Sequence, residues 1–186
     1  TPSDVEIDLT YYDERGGGYY PTNKPPVSAK PIRWYYKDGH IYHVTDGLVP
    51  AGSPLTRDML ISVLSNMDDN SSGDRAFWAS NHNIVPNIYE SVLWGVDKPI
   101  NREQTAMILY CYAQYKGYNT AQTSGITHYA DFGQIRPIAQ PAMAWAHASG
   151  VVPGTSDSTL SPRSGLICEE ANGVITRFLS VAVRRQ

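Results

Sequence analysis

Four stretches of this chain place apolar residues three and four positions apart, and most are punctuated at both ends. Met59, Leu60, Val63, Leu64 and Met67 form the first stripe, with Thr56 placed to cap it, Asp58 in its first turn and a polar run over 68–73 behind it. Asn101 opens the second, Gln104 completes a capping-box spacing, Ala106, Leu109, Tyr110 and Ala113 form the stripe, and Gly117 stops it. Pro141 begins a third through Ala142, Met143, Trp145 and Ala146, closed by Gly150. Val174, Ile175, Phe178 and Leu179 mark the fourth. A segment around Phe77 and Trp78 also reads as a short helix. Such a chain is built of helices joined by turn-rich loops, and their apolar faces must share an interior.

The first third obeys another rule. Val5, Ile7, Leu9 and Tyr11 alternate with Glu6, Asp8 and Thr10, the period of a half-buried strand. Gly16-Gly17-Gly18 breaks that pattern, and Pro21, Pro25, Pro26 and Pro31 keep the next stretch extended. Ile32-Arg33-Trp34-Tyr35-Tyr36 and His40-Ile41-Tyr42-His43-Val44 then flank Lys37-Asp38-Gly39. Asp-Gly between aromatic runs favours a hairpin; the competing helix over 34–45 carries Gly39 at its centre, at about 1 kcal/mol.

Charge and composition narrow the partners. Net charge is −3 with a pI near 5.9, so there is no basic field for nucleic acid. No run approaches the roughly 20 apolar residues of a membrane span. Cys111 and Cys168 lack metal or redox spacing and are expected as free, buried thiols. No leader is visible and the first residue is Thr, as in a processed, exported chain or a trimmed one. Thirteen tyrosines suit either a carbohydrate surface or a protein interface.

Helix, loop and capped helix recur, and three segments can be superposed. The first ends Gly47-Leu48-Val49, then Pro54-Leu55-Thr56-Arg57-Asp58. The second runs Trp78-Ala79-Ser80, Ile84-Val85, then Asp97 to Gln104 through Arg102-Glu103. The third runs Trp145-Ala146-His147, Gly150-Val151-Val152, Leu160-Ser161-Pro162 and Glu170. In these residues the chain resembles the S-layer homology family of bacterial surface proteins, over roughly residues 47–180. The resemblance implies a mainly α fold with a pseudo-threefold arrangement of helix-loop-helix repeats, here preceded by an N-terminal strand and hairpin extension. The units are then 1–32 (extended segment and linker), 33–68, 69–125 and 126–186.

The same resemblance implies a non-catalytic, secreted module anchored to cell-wall polysaccharide in grooves between repeats, without metal or cofactor. Arg57 and Arg102 match the family's motif arginine, and an arginine at a helix start suits a carboxylate-bearing sugar such as a pyruvylated one. Asp58 and Glu103 are expected to orient them or accept sugar hydroxyls, Trp34 to offer a flat face, and Asp131 matches an acid in the pattern of the third repeat. The chain departs from the pattern at Ile167-Cys168-Glu169-Glu170, where the third arginine is lost, and at Ile138, where a Trp is expected.

Blander readings stand beside these. Arg57 and Arg102 fit first-turn surface residues paired with nearby carboxylates, and Trp78 and Trp145 fit core positions. His40 and His43 fall on opposite faces of a hairpin, and no histidine pair has metal-ligand spacing. Asp68, Asn70, Ser72 and Gly73 open like a calcium loop, but Ala79 stands at its twelfth position, so a solvated helix terminus is expected. Neither Ser53, Ser124 nor Ser149 lies in a nucleophile motif. The alternative to anchoring is a structural subunit that polymerises into an extracellular filament or lattice, with Val5, Ile7, Leu9 and Tyr11 adding to a neighbouring copy's sheet edge.

Overall fold

The computed structural model describes residues 34–43, 47–68, 75–85 and 98–183. The expected strand over Val5, Ile7, Leu9 and Tyr11, the linker behind it and the polar run after Asp68 lie outside the described residues.

Strands β1 (Trp34–Lys37) and β2 (His40–His43) pair antiparallel, with Trp34 opposite His43 and Lys37 opposite His40. Asp38 at φ 49° and Gly39 at φ 84° make the turn between them. Two consecutive positive φ angles match the right-handed twist of the strands, and Asp and Gly are among the residues that tolerate them. A short β3 (Gly47–Leu48) joins β2 on its other side.

Five helices come after the sheet among the described residues: α1 (Arg57–Asn66), α2 (Arg75–Asn81), α3 (Arg102–Tyr115), α4 (Gln140–Ala148) and α5 (Cys168–Val183). Thr56 caps α1, its hydroxyl accepting from the Met59 N–H at 3.3 Å. Asn101 caps α3 in a reciprocal box: its carboxamide accepts from the Gln104 N–H, and the Gln104 side chain accepts from the Asn101 N–H, both at 2.9 Å. Gly117 and Gly150, at φ 71° and 73°, turn the chain out of α3 and α4. Two 3-10 turns, Phe132–Gln134 and Pro137–Ala139, lead into α4.

One interior collects all of these. Trp78, Tyr112, Trp145 and Phe178 are 1–3% exposed. Tyr112 and Phe178 ring centroids are 6.0 Å apart, Trp145 and Phe178 6.4 Å, and Trp78 and Tyr112 6.2 Å. The extended junctions before α1, α3 and α5 hydrogen-bond to one another: Leu55 N–H to the Leu166 carbonyl (2.7 Å), Ile100 N–H to the Leu55 carbonyl (3.0 Å) and Arg102 N–H to the Ser164 carbonyl (3.0 Å). Leu55, Ile100 and Leu166 are buried among them.

The expected pseudo-threefold arrangement of matching helix-loop-helix repeats is corrected by this architecture. A three-stranded sheet stands before α1, the seven-residue α2 precedes α3, and two 3-10 turns with a nine-residue helix precede α5. The first unit differs because the Asp38-Gly39 turn reverses the chain where a helix would have to continue. The hairpin is not an appendage either. Ile41 is 1% exposed within the core, its N–H donates to Asn172 Oδ1 at 3.1 Å, and the Tyr36 hydroxyl donates to the Asn172 carbonyl at 3.2 Å. The sheet is thus one wall of the interior, packed on α1 and α5.

Candidate functional site at the helix starts

The first turns of α1 and α3 gather the residues that sequence singles out, at two separate seams. At the α1 seam Arg57 is 2% exposed. Asp58 is also buried and links three elements, accepting from Trp34 Nε1 of β1 at 3.0 Å and pairing with Arg75 of α2 at 2.6 Å. Trp34 sits edge-on to His43, centroids 4.6 Å apart. Its polar edge is directed at Asp58.

The α3 seam brings Arg102, Glu103 and Asp131 together. Arg102 is largely buried: Nε donates to the Leu160 carbonyl at 2.9 Å and Nη2 to the Pro153 carbonyl. Burial lowers its pKa, while the nearby charges of Glu170 and Asp131 act the other way. Asp131 grips the same loop, accepting from the Leu160 N–H at 2.9 Å and the Ser161 N–H at 2.6 Å. That grip holds Ser161 at φ 50°, a left-handed conformation a serine otherwise avoids. Arg102 and Asp131 therefore shape the 153–161 loop from opposite ends of its polar chemistry.

Glu103 is fully buried. Its carboxylate accepts from the Arg136 N–H at 3.0 Å and pairs with Arg136 Nε at 3.3 Å and Arg163 Nη1 at 2.9 Å. Arg163 Nε also donates to the Gln134 carbonyl at 2.9 Å. Both arginines remain 43% exposed, so the arrangement is a buried anion holding two guanidiniums at the surface. Arg75, Arg136 and Arg163 carry no local signal in the sequence. Arg136 lies 33 positions from Glu103, and only the folded chain makes them neighbours.

A third cluster corrects the expectation of a solvated helix terminus at Asp68. Its carboxylate is buried and receives Trp78 Nε1 (2.9 Å), the Tyr115 hydroxyl (2.9 Å) and Lys116 Nζ (3.0 Å). Burial alone pushes the Asp68 carboxyl up, but hydrogen bonds from Lys116, Tyr115 and Trp78 outweigh it and leave the pKa below its ordinary value. The same bond to Asp68 raises the pKa of Lys116. Burial raises both Cys111 and Cys168 to about 11, so each is a protonated thiol at neutral pH.

Elsewhere, Ser124 Oγ lies 2.7 Å from Nδ1 of His147, whose Nε2 is 2.8 Å from the Tyr129 hydroxyl. The partner on the far nitrogen is a phenol rather than a carboxylate, and the cluster fastens the 118–126 segment to α4. Among the described residues no three His, Cys, Asp or Glu side chains gather as a metal site, and no helix is long and apolar enough to cross a membrane. No family model matches the chain, and no curated protein or solved structure matches it significantly.

Proposed function

We propose that the chain is a non-catalytic module of a bacterial surface protein that attaches to a carboxylate-bearing cell-wall polysaccharide, and that the attachment is made by Arg136 and Arg163. The likeness of its loop-to-helix junctions to S-layer homology repeats motivates the substrate class. The observation that carries the choice of residues is the pair of half-exposed guanidiniums fixed by fully buried Glu103. Arg102, which the motif alone would place against the sugar, donates to carbonyls of its own chain instead.

Two guanidiniums held side by side at the surface supply the donors that a carboxylate needs. Guanidiniums already oriented by a carboxylate lose less side-chain freedom on binding, and a planar guanidinium matches the geometry of a sugar carboxylate.

Titration of purified pyruvylated wall polysaccharide, with the same polymer after removal of pyruvate as reference, tests this. Arg136→Ala and Arg163→Ala should each weaken binding about 10-fold, the loss of one charge-assisted contact. Depyruvylated polymer should not bind. Absence of binding at millimolar polymer, or equal binding by the folded double variant, contradicts the reading.

A further inference from the structure

His147, in the last turn of α4, has a hydroxyl on each ring nitrogen. The Ser124 hydroxyl lies 2.7 Å from Nδ1 and donates to the Ala144 carbonyl at 3.4 Å. A hydroxyl has one proton to give, so Ser124 accepts from an Nδ1–H. Nε2 of the uncharged ring is then an acceptor, and the Tyr129 hydroxyl, 2.8 Å away, donates to it. A second proton on the ring reverses that bond: Nε2–H donates and the phenol accepts.

Tyr129 stands where the reversal reaches the arginine pair. A Cβ on Gly154 would lie 3.7 Å from Tyr129 Cε1, so the ring rests against the 153–161 loop. Next along the chain, the Ala130 N–H donates to the Ser158 carbonyl at 3.0 Å, and the Asp131 carboxylate accepts from the Leu160 and Ser161 N–H groups. Three successive residues thus hold the loop, and Arg163 follows two positions after its end. Among the described residues, the titratable groups facing His147 are the Tyr129 phenol and, behind it, His128, whose ring is 4.4 Å from that of Tyr129. From α3, packed along α4, Tyr110 meets the neighbouring Trp145 at 5.6 Å.

We infer that protonation of His147 regulates the Arg136–Arg163 site by tightening the hold of residues 129–131 on the 153–161 loop. The consequence for binding rests on the proposed role of the two arginines. A charged imidazole donates to both hydroxyls at once, and hydrogen bonds from a charged donor are stronger than those of the neutral ring. Imidazole is the side-chain group that changes charge between pH 5 and 8, so the loop is held more firmly in mild acid.

Nuclear magnetic resonance of the full chain from pH 8 to pH 5, without ligand, follows the His147 ring beside the Leu160 and Ser161 amides. Binding of pyruvylated wall polysaccharide is measured at both ends of the range. In the wild type both amides should titrate in step with His147, and the polysaccharide should bind about 5-fold more tightly at pH 5. Tyr129→Phe keeps the histidine and cuts the link: the two amides should stand still and the 5-fold difference should vanish. His128→Gln should behave as the wild type. Loop amides that ignore His147 in the wild type, or follow it equally in Tyr129→Phe, overturn the inference and leave the arginine reading standing. So does equal polysaccharide binding at the two pH values. No binding at either pH, with the loop still responding, sinks the arginine reading and the regulation of it together.

Discussion

Asp68 combines full burial with three donors, one of them a cation, and its charge stabilises the folded chain through that set. Asp68→Asn keeps the shape and removes the charge that holds Lys116, at a cost of about 1–3 kcal/mol in urea unfolding near neutral pH. The cost should depend on pH in one direction. A carboxyl whose folded pKa lies below the ordinary 3.8 stabilises the fold above that value and loses the contribution as pH falls through the folded pKa. Wild type and Asp68→Asn should therefore converge in stability in strong acid, and a gap that persists unchanged there would assign the effect to packing instead of charge. Glu103 shows the same principle turned outward, since its buried charge fixes groups that reach solvent.

Helices in this chain begin where local chemistry can be read directly. The Asn101–Gln104 box satisfies two orphan main-chain groups, and Asn101→Ala should cost about 1 kcal/mol with a matching fall in unfolding midpoint. Thr56, Asn101, Gly117 and Gly150 act within a few residues of themselves, which is why the starts and stops of α1, α3 and α4 are legible in sequence. The Asp38-Gly39 turn is legible for the same reason. Its consequence is not: that the hairpin becomes a wall of the core depends on Asn172, 131 positions from Ile41. The candidate site divides along the same line. Arg102, Glu103 and Asp131 are visible as a motif, but their partners are Pro153, Leu160, Arg136 and Arg163, chosen by loop paths that no local spacing encodes. Repeat-like sequence also suggests repeat-like geometry, whereas strands, a short helix and 3-10 turns fill the equivalent places.

Among the described residues, the junctions before α1, α3 and α5 pin the long helices together, so each candidate seam is built from two or more distant segments. The α3 seam needs the 131–136 turn, the 153–163 loop and the helix start in register at once. The proposed anion recognition rests on that folded arrangement, in which Arg102 braces the loop from inside while Arg136 and Arg163 stand at the surface. Nuclear magnetic resonance of the arginine Nε–Hε groups during titration with pyruvylated polysaccharide separates these roles directly. The Arg136 and Arg163 signals should move in a saturable way while the Arg102 signal stays fixed. A moving Arg102 signal with Arg136 and Arg163 unchanged, or no movement of any of the three, would contradict that assignment.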